Sequence, residues 1–470
     1  MKSKYKKLFG NSIIFAIGNL GSKLMQFIMV PIYSYTLTTT EFGKVDVITS
    51  LIALLLPIVC FDIFDAAFRF ALDKNENKIK ILGSSLMLSI VSSIFVLIVS
   101  VILSKFIKNY PVMYAGIFLI VSIFYSLISN FARAIGFVKE YAISGIINTL
   151  GMGICNILLL VVFHTGMNGY MLSLILGQFI TIIYLLISTS IKRMIILKSV
   201  DFHKLNDMLK YSLPLIPNTL AWWLNSTSDR FFIIGMIGAS ANGIYAMASK
   251  IPSFMSTFTS IFYQSWQISV VEEFDKKNSK DFINSVFEGF VSLLFLTSFL
   301  LIGFIRPIFK LIINNSYYEG WTLGPLLFLA VIYTGIASFL GTVYTASKKT
   351  TRVLITTIYG AILNVLLTVV LIKVIGIYGA AIANSVSFFV VSLLRYRDIY
   401  KAGKLGISFK NIIILHILFF IESFLLFYIY NDWIMGSIGI AIVIIQLLLD
   451  KILRKMLFSI IKGIKVKILK

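Results

Sequence analysis

One segment of the chain places polar and charged side chains in the middle of apolar sequence. Residues 211–232 read YSLPLIPNTLAWWLNSTSDRFF, and Arg230 stands near the end of the segment. Four polar or indole side chains before it recur at i, i+4, i+7 and i+11, the spacing of one helix face: Asn218, Trp222, Asn225 and Asp229. Amides and indoles offer hydrogen bonds, and a guanidinium binds anionic groups. The pattern indicates a polar, cation-bearing face.

The surroundings of this face decide between two interpretations. A charge near the centre of a bilayer costs from about 3 to more than 10 kcal/mol, so it needs a partner or a water-filled cavity. Polar side chains can also simply hold helices together, but that role does not require adjacent charges such as Asp229 and Arg230. A transport role is therefore favoured. Pro214 and Pro217 remove two backbone donors near the start of the segment, which predicts a kink or break there.

Two lysines also fall inside apolar segments. Lys23 lies midway along the first such segment, too far from either end to reach water easily, and Lys250 lies inside the eighth. Each is interpreted as a cation that lines a cavity. For Lys23 the alternative is pairing with an acid purely for packing.

The sequence FDIFDAAFRF at residues 61–70 carries three further charges. Asp62, Asp65 and Arg69 are spaced i, i+3 and i+7, which predicts that one helix face carries all three. One interpretation is an anion-binding arginine beside acids that hold it or accept protons. The other is an Asp65–Arg69 ion pair near the membrane interface, where arginine reaches water. Both remain open. Glu422, central in the thirteenth apolar segment, could equally serve lipid or partner contacts.

Several kinds of chemistry find no support in the sequence. No GxxxxGK[ST] loop and no GxSxG motif occurs, so neither ATP hydrolysis nor a serine nucleophile is expected. Cys60 and Cys155 lie in apolar runs without metal-ligand spacing, and the three histidines have no such company. We expect no catalytic residue, no metal and no cofactor, and transport that is passive or driven by an ion gradient.

The elements that position these residues follow from composition. Hydrophobic residues make up 58% of the 470 residues, charged residues only 13%, and mean hydropathy is +0.93, which together exclude a soluble enzyme. Windows of about 20 apolar residues predict an all-α integral membrane protein of about fourteen transmembrane helices. The predicted spans are residues 11–36, 45–68, 82–104, 113–137, 141–163, 169–190, 211–237, 243–270, 285–305, 321–346, 353–374, 377–394, 411–430 and 433–450.

The distribution of positive charge tests this assignment. With the N-terminus on the cytoplasmic side, 32 of the 42 lysines and arginines fall in predicted inner segments. Six fall outside and four within spans. A miscounted span would invert everything after it, so the pattern predicts a multi-pass protein with both termini cytoplasmic. A twelve-span alternative requires the last pair of helices to be peripheral. The net charge of +22 thus reflects topology, and no nucleic-acid partner is expected.

The two halves of the chain resemble each other. TEFGKVDVITSL at 40–51 parallels SANGIYAMASKI at 240–251, which aligns Gly43 with Gly243. Asn156 aligns with Asn364, and GMNGYM at 166–171 aligns with GIYGAA at 376–381. A repeat of six helices enters the membrane twice in the same direction, which predicts two parallel half-bundles related by a pseudo-two-fold axis along the membrane normal. The predicted domains are residues 1–200, residues 201–400, and two extra helices with a basic tail at 401–470.

Several motifs in order resemble a known family. The opening GNSIIFAIGNLGSKLMQFIMVPIYSYTLTTTEFGKVDV, AFRF at 67–70, YSLPLIPNTLAWWLNSTSDRF, SWQ at 265–267 and NVLLTVVLIKVIGIYGAAIA at 364–383 carry the likeness. The chain resembles the Wzx-type polysaccharide flippases of the multidrug/oligosaccharidyl-lipid/polysaccharide (MOP) superfamily, which implies a MATE-like architecture. It further implies alternating access between two half-bundles that translocates polyprenyl-pyrophosphate-linked oligosaccharide repeat units across the bacterial inner membrane. The product pathway would be capsule, O-antigen or a related surface polysaccharide.

The resemblance assigns roles to the embedded residues. The cations that would attract the pyrophosphate are Arg230, Lys23, Lys250 and Arg69. The side chains that would line the sugar cavity are Asn225, Trp222 and Asn218. The acids that would couple transport to a proton or sodium counter-ion are Asp229, Asp62 and Asp65. The polyprenyl tail would stay among membrane lipids, and a polysaccharide polymerase is a further expected partner.

Three rival functions stay open. A cation-coupled multidrug exporter of the same superfamily is expected to have an acidic cavity. The embedded charges, five bases against six acids, do not show whether the cavity is acidic. A lipid II flippase is close kin. A membrane enzyme such as a polymerase or ligase is disfavoured, because no predicted outer loop exceeds about sixteen residues and such enzymes are expected to hold active-site residues in a sizeable outer loop.

Overall fold

A computed structural model of the chain describes residues 25, 27–73, 75–196, 199–274, 276, 278–347, 350–407, 409–451 and 453–454. Every regular element within these ranges is helical, which confirms the predicted all-α class. Packing divides the chain into two compact units. Unit 1 contains the described residues up to Ile234 together with Gly238–Gly243, and unit 2 contains Gly235–Ile237 and the described residues from Ile244 onward. The domain boundaries at 200 and 400 stay predictions, since compactness and repeat length are different criteria.

The described part of unit 1 contains α1 to α11, of which α1 is short within the described residues and α11 ends among the unit 2 residues. They are α1 (Phe27–Thr36), α2 (Thr39–Val59), α3 (Ile63–Ala71), α4 (Lys78–Phe106), α5 (Val112–Ala134), α6 (Val138–Asn156, continued by a π-helical turn at Ile157–Val162), α7 (Gly166–Ser188), α8 (Ile191–Met194), α9 (Phe202–Ser212), α10 (Ile216–Thr227) and α11 (Asp229–Met236).

Unit 2 continues with nine helices, of which α12 begins among the unit 1 residues. They are α12 (Ala239–Ala248), α13 (Lys250–Glu273), α14 (Ser279–Gly303), α15 (Ile305–Ile312), α16 (Gly324–Ala346, preceded by a 3₁₀ segment at Asn315–Leu323), α17 (Thr350–Ile375), α18 (Ile377–Lys401), α19 (Phe409–Tyr428) and α20 (Asp432–Leu449).

In the described part, eleven helices are long and apolar enough to cross a membrane. They correspond to eleven of the fourteen predicted spans, and the other three have specific reasons for their absence. Of the first span, only Phe27–Thr36 is described as a continuous helix. The seventh span is divided at its prolines and again at Ser228. The eighth is divided at Ser249, and its longer part, α13 with 24 residues, is not apolar enough to qualify. The total of fourteen therefore stays a prediction.

Helix α4 shows why these helices belong in lipid. One face is exposed and consists of large apolar side chains, including Ile94, Phe95 and Ile98. The opposite face is buried and carries small hydroxyl residues, such as Ser85 and Ser89. Small residues at helix contacts and large apolar residues outside are the arrangement of a bundle whose solvent is hydrocarbon.

The predicted second span, residues 45–68, is not one helix. It breaks between α2 and α3, where Phe61 and Asp62 both have φ 53°. Left-handed conformations cost non-glycine residues about 1–2 kcal/mol each. Neighbouring hydroxyls stabilise the break, because Ser92 Oγ donates to the Val59 carbonyl (2.8 Å) and Ser212 Oγ donates to the Phe61 carbonyl (2.6 Å). The prediction that one helix face carries Asp62 together with Asp65 and Arg69 is therefore wrong, because Asp62 precedes α3.

The break predicted from Pro214 and Pro217 is confirmed. Helix α9 ends at Ser212, a 3₁₀ segment runs over Leu213–Leu215, and α10 begins at Ile216. A second break at Ser228 has no proline signal. There the Ser228 hydroxyl donates to the Leu224 carbonyl at 2.5 Å, a local bond of the kind that bends helices.

Candidate functional site

Arg230 is held by an acid that the sequence analysis did not select. It lies at the start of α11, and its Nε is 2.9 Å from Oδ2 of Asp46 on α2. The Arg230 side chain is 22% exposed and that of Asp46 is 11% exposed. Nη1 of Arg230 also lies 3.5 Å from the Ser50 hydroxyl, one turn further along α2. Because both charges are largely enclosed, removing either partner leaves an expensive uncompensated charge.

Asp46 also contacts the beginning of α12. Nδ2 of the fully buried Asn242 donates to the Gly43 carbonyl at 2.9 Å and reaches Asp46 Oδ2 at 3.4 Å. The hydroxyls of Thr39 and Ser240 are 2.8 Å apart. Residues 39–46 and 239–243, all within unit 1, thus form a close contact that we call the TEFG–SANG contact.

Glycine makes this approach possible. A Cβ added to Gly43 would collide with the Ala239 carbonyl, and a Cβ added to Gly243 would collide with the Thr39 carbonyl. Backbone atoms cannot rotate away as a side chain would, so the two chains could not approach this closely with larger residues. Gly43 and Gly243 are the same two residues that the internal repeat aligns.

A second polar network lies near Asp46 in unit 1. Asn156 Nδ2 donates to the Tyr33 hydroxyl at 2.9 Å, and the Ser173 hydroxyl donates to Asn156 Oδ1 at 2.6 Å. The rings of Tyr33 and Tyr170 meet edge to face at 4.9 Å, and Tyr170 lies close enough to Asp46 to interact electrostatically. The sequence marked Asn156 only as a landmark of the repeat.

The predicted polar stripe is only partly realised. Asn218 is exposed, Trp222 is half-buried and Asn225 is buried. Asn225 Oδ1 has no hydrogen-bond partner among the described protein groups. Asp229, also buried, lies beyond the break at Ser228 and accepts the Arg230 backbone N–H at 2.9 Å.

The indole that reaches α2 belongs to the neighbour of the predicted tryptophan. Trp223 Nε1 donates to the Ser50 carbonyl at 2.9 Å, and its ring packs 5.2 Å from that of Phe231. The sequence shows two adjacent tryptophans but does not indicate which of the two indoles contacts α2.

The acids beside the break in α2–α3 have different surroundings. Asp62 is 4% exposed, whereas Asp65 is exposed and interacts with Arg133 of α5. The Arg133 guanidinium lies over the Phe68 ring at 4.7 Å. Arg69 is exposed at the end of α3, and no salt bridge joins it to Asp65 in the described structure.

The other predicted cations lie in different parts of the chain. Lys250 begins α13 and is half-buried in unit 2. Lys23 lies outside the described residues. Convergence of these cations and Arg69 on one ligand stays a prediction.

Several buried ionisable side chains of unit 2 were not placed in a site by sequence reasoning, among them Arg395 and Glu422. The guanidinium of Arg395, 1% exposed, donates to the Ala337 and Val353 carbonyls and to the hydroxyls of Thr356 and Thr357. Glu422 is fully buried, and neither carboxyl oxygen has a hydrogen-bond partner within the described ranges.

Comparison with known proteins gives a consistent picture. The profile of a family described as "Polysaccharide biosynthesis protein" matches residues 8–267, more than half of the chain. The structure of a lipid II flippase, MurJ, in an inward closed conformation is similar with TM-score 0.69 and 17% identity, covering 92% of this chain and 98% of that one.

Two transporter structures show the same fold. An inward-facing multidrug resistance MATE family transporter of the MOP superfamily is similar with TM-score 0.58 and 14% identity, covering 84% of this chain and 95% of that one. A MATE transporter from Vibrio cholerae is similar with TM-score 0.54 and 15% identity, covering 85% of this chain and 98% of that one. No curated protein sequence matches the chain.

Proposed function

The chain belongs to the polysaccharide biosynthesis protein family, and from that premise we propose that it is a Wzx-type flippase for polyprenyl-pyrophosphate-linked oligosaccharide repeat units. It would act in the bacterial inner membrane, in the synthesis of capsule, O-antigen or a related surface polymer. The observation that carries the proposal is Arg230, a largely enclosed cation in a helix bundle with a lipid-facing exterior. An enclosed cation is expensive even beside an acid, and an anionic head group is a reason to keep it.

The energetics of the substrate call for such a site. Each hydroxyl moved without a partner into hydrocarbon costs about 4–8 kcal/mol, and a pyrophosphate costs far more. Arg230 would bind the pyrophosphate, joined in the cavity by Lys23, Lys250 and Arg69. Asn225, Asn218 and Trp222 would contact the sugars. The buried acceptor Oδ1 of Asn225 suits a sugar hydroxyl, since no protein donor in the described part reaches it. The polyprenyl tail would remain in lipid.

The direction and the driving force are further parts of the proposal. The predicted topology puts both termini in the cytoplasm and the TEFG–SANG contact at the outer ends of its helices. A closed contact there corresponds to a cavity that loads from inside, and alternating access would then release the head group outside. Asp62, Asp65 and Asp229 are the acids that would bind a proton or sodium ion. A polysaccharide polymerase would use the delivered unit.

The test is the sidedness of the lipid-linked repeat unit in a strain that lacks this chain. We expect loss of surface polymer and repeat units that remain accessible only from the cytoplasmic leaflet. Complementation with the wild-type chain or with Arg193→Gln, a control at an exposed arginine, should restore polymer, whereas Arg230→Gln should not. Normal polymer together with new sensitivity to cationic dyes would refute the proposal in favour of a multidrug exporter.

A second candidate is a lipid II flippase. It is favoured by the likeness to MurJ over 98% of that chain's length. Both substrates contain a polyprenyl pyrophosphate, so the candidate site is the same and only the glycan differs. Depletion of the chain distinguishes them, because a lipid II flippase is needed for growth of the cell wall, while loss of a surface-polymer flippase removes polymer and leaves wall synthesis intact.

A further inference from the structure

Arg230 is already neutralised in this structure. Its Nε faces Asp46 Oδ2 at 2.9 Å, so the carboxylate occupies the position of an anionic ligand. A guanidinium has five N–H donors and binds phosphate oxygens in pairs. A pyrophosphate carries more charge and more acceptor oxygens than one carboxylate, so it can compete with Asp46 for the same group.

The same carboxylate oxygen touches the TEFG–SANG contact. Asp46 Oδ2 lies 2.9 Å from Arg230 and 3.4 Å from Asn242 Nδ2. This oxygen therefore links α11 to residues 239–243. If the carboxylate turns away from Arg230, its geometry toward Asn242 changes with it.

Besides Asp46, hydrogen bonds join the two segments of the contact. Asn242 donates to the Gly43 carbonyl, and the Thr39 and Ser240 hydroxyls meet at 2.8 Å. The backbones are also closely packed here, since a Cβ on Gly43 would meet the Ala239 carbonyl and a Cβ on Gly243 would meet the Thr39 carbonyl. In addition, Oδ1 of the fully buried Asn242 has no donor among the described protein groups. A buried acceptor without a donor makes a closed contact less stable than its surface suggests.

We propose that Asp46 is a resident counter-ion which the substrate pyrophosphate replaces at Arg230, and that this exchange releases the TEFG–SANG contact. The proposal rests on the pyrophosphate site of the proposed function. It makes Asp46 the positioning residue that couples occupancy of the site to separation of residues 39–46 from residues 239–243. Opening at this end would then follow binding, so an empty protein would stay closed there.

The experiment uses the full-length protein, purified and placed in lipid nanodiscs, with farnesyl pyrophosphate as the probe. Cys60 and Cys155 are first changed to serine, and cysteines are introduced as Thr39→Cys and Ser240→Cys, whose side-chain oxygens are neighbours in the native chain. The rate of disulfide formation reports the closed contact. Calorimetric titration of the same protein without the added cysteines reports the affinity for the probe.

In the background protein, we expect rapid cross-linking that the probe slows at least about fivefold. Asp46→Asn should cross-link slowly even without the probe and should bind it about tenfold more tightly, because its competitor for Arg230 is gone. Asp46→Glu keeps the charge and should resemble the background. Asp73→Asn removes an exposed acid beyond the end of α3 and should also resemble it. Elution as a single species on gel filtration checks that each variant is folded.

The outcomes separate this proposal from the proposed function. If Arg230→Gln abolishes binding while Asp46→Asn binds and cross-links as the background does, the counter-ion exchange is wrong and the pyrophosphate site stands. If neither the background nor Asp46→Asn binds farnesyl pyrophosphate, the pyrophosphate site itself is wrong, and the exchange falls with it.

Discussion

The buried Arg395 allows a prediction in which two effects oppose each other. Gly341 on α16 faces the guanidinium, and a Cβ added to it would lie 2.8 Å from Nη1. That contact would be harmless if the side chain could move aside. Here it cannot, because Nη1 donates to the Ala337 carbonyl at 2.6 Å while Nε and Nη2 are bound to Thr356 and Thr357. Gly341→Ala therefore has to break at least one of these bonds.

The sizes of the two opposing effects determine whether Gly341→Ala stabilises or destabilises the protein. Replacing glycine by alanine inside a helix stabilises it by about 1 kcal/mol. Losing one hydrogen bond from a buried charged donor costs about 1.5–3 kcal/mol. We therefore expect Gly341→Ala to lower the free energy of unfolding by about 0.5–2 kcal/mol. In an Arg395→Met background no guanidinium is present, so the same substitution should be neutral or stabilising. The implied coupling of about 2 kcal/mol exceeds the usual deviation from additivity of about 0.5 kcal/mol.

The assay is a thermal midpoint, measured by heating the detergent-purified protein and recording the fraction that remains monodisperse on gel filtration. Wild type, both single variants and the double variant complete the cycle. Arg395→Lys is the further control, since it keeps the charge but loses the planar fork, and it should be less stable than Arg395→Met. An equal drop from Gly341→Ala in both backgrounds would show that the guanidinium is not what the new methyl group meets.

Three further predictions concern other parts of the chain. Asp62→Gly should raise the thermal midpoint, because glycine adopts φ 53° without strain. If the carboxylate couples an ion, the same variant should transport less. Asp62→Asn, which also tolerates this conformation, tests the effect of the charge alone. The Lys204 backbone N–H, and then Lys80, lower the pKa of Asp201. The ionised Asp201 therefore contributes its full stabilisation above about pH 4, and this is lost as the pH falls through the lowered pKa. Thermal midpoints measured from pH 7 to pH 3 should show a loss of stability that Asp201→Asn lacks. Glu422→Gln should leave the thermal midpoint unchanged or higher, since a charge on Glu422 has no partner in the described part. Gly439→Ala should lower the midpoint, because its Cβ would lie 3.1 Å from Glu422 Oε1 and 3.2 Å from the Phe299 carbonyl. A large loss of stability in Glu422→Gln would contradict this reasoning.

Local features of the chain were predictable because their causes are local. Apolar segments of about 20 residues become helices in lipid whatever they pack against, since no other structure satisfies the backbone there. Pro214 and Pro217 break a helix through their own missing N–H groups, so that break was predictable too. The break at Phe61 and Asp62 was not, since its only sequence signal is Pro57 inside α2 and its stability depends on hydroxyls from α4 and α9.

The candidate site shows where prediction stopped. The sequence marked Arg230 as a functional cation, since a charge in an apolar segment is costly in any fold. It did not identify Asp46 as the partner or Trp223 as the indole that contacts Ser50, and the sugar contact of Trp222 stays a prediction. Helical spacing orders residues along one helix, but the rotation of that helix against its neighbours is determined by packing.

The amino-acid sequence therefore establishes that this chain is a bundle of membrane helices, where most of those helices lie, and which residues carry charge at a cost. Which charges meet follows from tertiary packing. Ser50 and Arg230 are 180 residues apart, and Asp46 and Asn242 are 196 residues apart. The physical reason is that burial of a charge is a property of one segment, whereas its neutralisation depends on two segments whose approach is set by glycines, helix breaks and packing across the whole unit.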